Sequence, residues 1–70
     1  MMEERYAVIG ESEGLPTLYH MNQTKTNAEK LRKRREAAIS RPCFIVQMSA
    51  WFADPLQALR RAEAGRRSFD

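Results

Sequence analysis

RYAVIG, residues Arg5–Gly10, is the stretch of sequence that decides the fold. It is rich in aromatic and β-branched residues and ends at a glycine, which is typical of a β-strand followed by a turn. Tyr6–Ile9 is apolar throughout. An apolar run of this length, bounded by a turn signal, is expected in the interior of a sheet. The sequence therefore predicts a central strand here.

A second strand is predicted at Thr17–Met21, after a loop. Glu11–Pro16 contains serine, glycine and proline, which favour turns and loops. This loop is longer than the two-residue turns that join the tightest hairpins. Strand alternation places Tyr19 and His20 on opposite faces of the second strand.

A helix is predicted over Asn27–Ile39 from signals at both of its ends. Thr26 and Glu29 have the spacing of a capping box, in which both side chains accept backbone N–H groups. Pro42 ends the helix, because the residue before a proline avoids helical conformation. The stem of Arg35 is expected to cover apolar surface while its guanidinium stays in water. The apolar positions at helical spacing are Ala28, Leu31, Ala38 and Ile39.

Two further elements are predicted in the second half of the chain. Pro42–Phe52 is strongly apolar and alternates, which predicts a strand over about Cys43–Ala50 with the Phe44 face toward the core. A helix is the alternative for this stretch, because short apolar runs are ambiguous. Asp54 before a proline marks the start of a last helix, and Gly65 suits its C-terminal cap.

The predicted fold class is α+β, a two-layer β-β-α-β-α domain. A right-handed crossover from the second strand to the third gives a three-stranded antiparallel sheet of order 2-1-3. Both helices are expected on one face of this sheet. Residues 1–65 form a single small domain in this prediction, and residues 66–70 form a flexible tail.

The composition excludes several classes of protein. A chain of 70 residues is too short for a dinucleotide-binding enzyme fold. Its single cysteine excludes an internal disulfide, and one His with one Cys falls short of a zinc ligand set. We therefore expect no metal and no cofactor. Few large apolar side chains are available for a core, so a homodimer interface is a further expectation.

The charge is concentrated in one segment. The formal net charge is only +3, but residues 22–41 contain seven of the 12 Lys and Arg residues and two of the nine acidic residues. We expect the helix face in this segment to bind an acidic protein surface, with Trp51 as a further contact. The predicted partner-binding residues are Lys25, Lys30, Arg32, Lys33, Arg34 and Trp51.

Two alternatives to this interpretation stay open. The basic residues could form a solvated helix face, because Glu29 with Lys33 and Arg32 with Glu36 have the i,i+4 spacing of ion pairs. They could instead bind nucleic acid directly, although the chain has no GXXG clamp, aromatic RNP strand or zinc-finger ligand set.

The aromatic residues could belong either to the core or to a binding surface. Tyr6, Tyr19 and Phe52 are expected in the core of so small a protein. Trp51 is the predicted exception, because it alternates with Gln and Ser and stands at the exit of the third strand. On a sheet face without helices it would anchor a partner.

Catalysis is not expected. Cys43 and His20 are the only residues that suggest a nucleophile and its base, and no third group is placed to orient the histidine. Cys43 is instead expected as a buried structural residue. Glu11 and Glu13 are expected in a solvated loop, because two carboxylates fall short of the ligand number of calcium. The protein is predicted not to be an enzyme.

The chain lacks the sequence signals of secretion and of membrane insertion. The acidic start lacks the basic and apolar regions of a secretory signal, and Pro42–Ala53 is too short to cross a bilayer, so a cytoplasmic protein without membrane contact is expected. In size, hairpin–helix–strand layout and basic helix, the chain resembles small accessory proteins of phages and mobile elements, anti-CRISPR proteins among them. That resemblance implies occupation of a surface on a larger machine, and it covers layout only.

Overall fold

Three strands and three helices make up the structure, a computed structural model that describes residues 4–67. In chain order they are β1 (Tyr6–Ser12), β2 (Leu15–Gln23), α1 (Lys25–Ile39), β3 (Phe44–Gln47), α2 (Met48–Ala53) and α3 (Pro55–Arg67).

The strands form an antiparallel sheet of order β2-β1-β3, as predicted. β1 pairs with β3 without interruption from Tyr6 opposite Gln47 to Ile9 opposite Phe44. Ala7–Gly10 is buried along its whole length. The apolar stretch at the start of the chain is therefore the central strand, and the α+β class is confirmed.

The helices lie on opposite faces of the sheet, so the prediction that both cover one face is wrong. Ala7 and Ile9 pack in one cluster with Leu59 of α3. Val8, between them, packs in a second cluster with Ala28 of α1. Successive side chains of a strand point to opposite faces, so a strand buried at four consecutive positions needs a layer on each side. The architecture is three-layered, with α1 on one side and α2 and α3 on the other.

The hairpin between β1 and β2 is tighter than expected. Its turn consists of Glu13 and Gly14, with φ angles of 54° and 79°. Positive φ at both central positions is the mark of a type I′ turn, whose twist matches that of the flanking strands. The predicted six-residue loop is wrong, because Leu15 and Pro16 already belong to β2.

β2 is irregular in its middle, and this places two side chains on the α1 face. Ile9 is opposite Leu18 and Val8 is opposite His20, so Tyr19 is an additional residue in the strand. Tyr19 packs against the Val8 cluster, and His20 lies beside α1. The predicted alternation of Tyr19 and His20 fails because a bulge turns both toward the same side.

α1 begins two residues before its predicted start. The Thr24 hydroxyl accepts the backbone N–H of Asn27 at 3.2 Å, so Thr24 and not Thr26 is the N-cap. The helix ends at Ile39, and its C-cap Ser40 donates its N–H to the Glu36 carbonyl at 2.8 Å and takes a left-handed φ of 55°. The predicted helix is confirmed, and its predicted capping box is not.

The third strand is shorter than predicted. It ends at Gln47, and Met48 begins α2, so the helical alternative holds for the end of this apolar stretch. Phe44 packs toward the cluster of Ala7 and Ile9, on the face that the alternation indicates. The backbone N–H of Met48 donates to the carbonyl of Arg5 at 2.9 Å and so ties α2 to the start of β1.

α3 begins as the sequence predicts and ends later. The Asp54 carboxylate accepts the N–H of Gln57 at 3.1 Å, and Pro55 is the first helical residue. The helix continues through Gly65 to Arg67, so the predicted stop at Gly65 is wrong. Of the predicted tail, residues 68–70 lie outside the described residues.

Candidate functional site

α1 presents its cations in two directions. Residues three and four positions apart share a face of a helix. The face toward the sheet contains buried Ala28 and half-buried Leu31 and Ile39. The side away from the sheet contains three exposed cations, which we call the outer basic patch. These are Lys30, Lys33 and Arg34.

Arg32 is engaged within the molecule. Its Nη1 lies 3.0 Å from Oε1 of Glu36, and both side chains are about one quarter exposed, at 24% and 22%. The same carboxylate oxygen accepts the backbone N–H of Cys43 at 2.9 Å. The predicted i,i+4 pair of Arg32 with Glu36 is therefore formed, and it holds the chain between α1 and β3.

Arg35 is also directed toward the sheet. Its guanidinium carbon lies 4.9 Å from the centroid of the Tyr19 ring. The ring in turn lies against Gly10, where an added Cβ would stand 2.7 Å from Tyr19 Cε2. Arg35 is half-buried and belongs to the packing between α1 and β2, in keeping with the expected burial of its stem.

The outer basic patch has no internal ion pair in the part of the chain that the structure describes. The predicted pair of Glu29 with Lys33 is not formed there. Lys25 is exposed as well, but its helical spacing places it in line with Glu29 and Arg32 rather than with the patch. Of the five helix cations predicted to bind a partner, three share an open surface.

A groove adjoins this surface between α1 and β2. It has a volume of about 330 Å³. Arg34 belongs both to its wall and to the outer basic patch. The residues around it are His20, Leu31, Arg34, Arg35 and Ala38. The sequence does not predict this groove, because the groove depends on the bulge at Tyr19 that turns His20 toward the helix.

Trp51 lies on the other side of the molecule. It belongs to α2, is half-buried and packs against the cluster that contains Ala7 and Ile9. The predicted open sheet face beneath it is occupied by α2 and α3. The structure therefore does not bring Trp51 together with the outer basic patch, and the neighbouring Phe52, 69% exposed, is the more accessible ring.

Cys43 and His20 lie in different surroundings. Cys43 is fully buried beside Val8 and Ala28, with its Sγ 3.9 Å from the carbonyl oxygen of Arg41. His20 is half-buried in the groove. Within residues 4–67, no three His, Cys, Asp or Glu side chains are grouped as metal ligands. Glu11 and Glu13 are exposed, as expected for the hairpin tip.

Neither a membrane-spanning helix nor a known relative accompanies this site in the described residues. No helix among the described residues has both the length and the apolar character needed to cross a membrane. No protein-family model, no curated protein and no solved structure matches the chain.

Proposed function

We propose that this protein is a non-enzymatic interaction protein that docks the outer basic patch of α1 onto an acidic surface of a larger protein or complex. The observation that carries the proposal is the exposure of Lys30, Lys33 and Arg34 on one side of the helix. Arg32 and Arg35, by contrast, are held by Glu36 and Tyr19. Of the six cations of α1, two therefore belong to the internal packing and four are exposed, and three of those four form the outer basic patch.

The spacing of the patch suits electrostatic docking. The three cations are at i, i+3 and i+4 and therefore occupy about one turn of the helix. Clustered charges of one sign accelerate association with an oppositely charged surface, and their effect falls as salt rises. The proposed interaction is thus fast to form at low ionic strength and sensitive to salt.

The groove beside Arg34 favours a protein partner over nucleic acid. An apolar side chain of a protein fills such a groove, whereas the backbone of a nucleic-acid duplex presents only charged and polar groups, its bases being stacked in the interior. The layout of the chain resembles that of accessory and inhibitor proteins of phages and mobile elements. This resemblance also implies that the protein occupies a surface on a larger assembly. We include that class of partner and a cytoplasmic location in the proposal; the location is in keeping with a chain whose single cysteine has no second cysteine for an internal disulfide. The homodimer stays a prediction.

Charge reversal with a matched control tests this function. The variant Lys30→Glu, Lys33→Glu, Arg34→Glu removes the patch. The control Arg41→Glu, Arg60→Glu, Arg61→Glu changes the net charge equally at exposed positions elsewhere. Affinity capture from source cells, with quantitative mass spectrometry, compares both with the native chain.

We expect a defined partner complex to be recovered with the native chain and the control and to be lost with the patch variant. Equal recovery by all three proteins rejects the patch as the docking surface. Recovery that disappears after nuclease treatment, together with gel shifts on random duplex or single strands, points instead to direct nucleic-acid binding.

A further inference from the structure

The groove between α1 and β2 has its apolar side chains on α1. Leu31 and Ala38 are seven positions apart on α1 and so share a face, and His20 approaches from β2. Its volume of about 330 Å³ stands at the lower end of the roughly 300–1,000 Å³ of typical ligand pockets. This size suits one or two side chains of a partner.

The small side chain of Ala38 keeps the groove open. Ala38 is exposed, although it lies beside the apolar residues of the helix. The opposite wall is held in place, because Arg35 rests on the Tyr19 ring and the bulge in β2 fixes His20 beside the helix. A groove with a fixed wall binds with a smaller loss of conformational entropy than one that must form on binding.

The rim of the groove is basic. Arg34 and Arg35 both line it, and none of the residues that line it in the described chain is acidic. The outer basic patch continues this charge along α1 through Lys30 and Lys33. An apolar centre with a polar rim is the usual anatomy of a protein–protein contact, in which one anchor side chain supplies much of the affinity.

We propose that this groove is the anchor site of the interaction: it takes one large apolar side chain from an acidic partner segment, in which carboxylates flank that side chain. The inference rests on the proposed function and names the chemistry of the partner at the same surface. Arg34 joins the two parts of the site, since it meets the carboxylates that follow the anchor. A ligand with a single carboxylate would leave Lys30 and Lys33 without a counterpart, which favours a segment with several.

The test uses two defined peptides and two matched variants. One fluorescein-labelled peptide alternates Asp and Glu around a central Phe, and its twin has Ser in place of that Phe. Ala38→Phe fills the groove, whereas Ala53→Phe makes the same change at an exposed position of α2, on the other side of the sheet from the groove and the patch. Fluorescence anisotropy at low ionic strength gives the six affinities of the native chain and the two variants.

We expect the Phe peptide to bind the native chain about tenfold or more tightly than the Ser peptide, which is the effect of burying one aromatic side chain. Ala38→Phe removes this preference and Ala53→Phe retains it. The imidazole signals of His20 in NMR provide a second measurement on the native chain. They shift with the Phe peptide and stay in place with the Ser peptide.

The outcomes separate the groove from the patch. Equal affinity for both peptides overturns the anchor site. If both peptides then fail to bind the Lys30→Glu, Lys33→Glu, Arg34→Glu variant, the proposed function stands without an anchor site. A preference for Phe that survives Ala38→Phe overturns the groove as the place of the anchor. Absence of binding by either peptide counts against both. If single-stranded DNA displaces the Phe peptide as effectively as an unlabelled copy of the peptide does, the surface is a nucleic-acid-binding site and both proposals are overturned.

Discussion

The guanidinium carbon of Arg35 lies 4.9 Å from the centroid of the Tyr19 ring, which places a cation of α1 on an aromatic ring of β2. On the sheet side the ring is in close approach to Gly10 of β1. The contact therefore connects three consecutive elements, β1, β2 and α1. It also withdraws one of the six cations of α1 from the surface that would meet a partner.

A double-mutant cycle on Arg35 and Tyr19 measures this contact. We expect Arg35→Ala and Tyr19→Leu each to lower the free energy of unfolding, with a coupling energy of about 0.5–1 kcal/mol, the range of a partly exposed cation–π pair. Urea denaturation of the four proteins provides the values. Arg34→Ala is the control, because an exposed side chain without such a contact changes stability by less than about 0.5 kcal/mol. Strict additivity would mean that the two groups do not interact.

Gly10 and Gly65 should respond to alanine in opposite directions. A Cβ at Gly10 would stand 2.7 Å from Tyr19 Cε2, so Gly10→Ala displaces the ring and should cost about 1–3 kcal/mol. A Cβ at Gly65 meets nothing within 4 Å, and this residue lies inside α3. Gly65→Ala should therefore stabilise the protein by about 0.5–1 kcal/mol. Thermal unfolding distinguishes the two; a neutral Gly10→Ala would show that the ring has room to move.

The elements that were predicted correctly are those decided by local chemistry. The apolar run Tyr6–Ile9 identified the central strand, and Asp54 with its proline identified the start of α3. The prediction that both helices cover one face of the sheet is wrong, although the same apolar run indicates the correct arrangement. Four consecutive buried positions require cover on both sides of a strand, which excludes two helices on a single face.

The parts of the site that were missed depend on tertiary register. Helical spacing alone gives the exposure of Lys30, Lys33 and Arg34 and the pairing of Arg32 with Glu36. The groove needs the bulge at Tyr19, and an additional residue in a strand leaves no clear mark in so short a sequence. Trp51 was assigned to an open face because the transition from β3 to α2 falls within one apolar run, where the two periods are hard to distinguish.

Glu36 should be more sensitive to removal of its acceptor oxygens than to loss of its charge. Its Oε1 accepts from both Arg32 Nη1 at 3.0 Å and the backbone N–H of Cys43 at 2.9 Å. Glu36→Ala withdraws this acceptor from both donors and should cost about 1–3 kcal/mol. Glu36→Gln keeps an oxygen at the same place and should cost clearly less. Urea denaturation compares the two, and equal losses would assign the effect to the charge alone.

Arg32 and Arg34 are two residues apart, and they should differ in their effect on binding. Arg34 is exposed beside the groove, so Arg34→Ala should slow association with the acidic Phe peptide and weaken the dependence of that rate on salt. Arg32 is already neutralised by Glu36, so Arg32→Ala should alter the association rate much less. Stopped-flow anisotropy at several ionic strengths gives both rates. If Arg32→Ala slows association as much as Arg34→Ala, only total charge matters, and the arrangement of the cations around the helix does not direct the encounter.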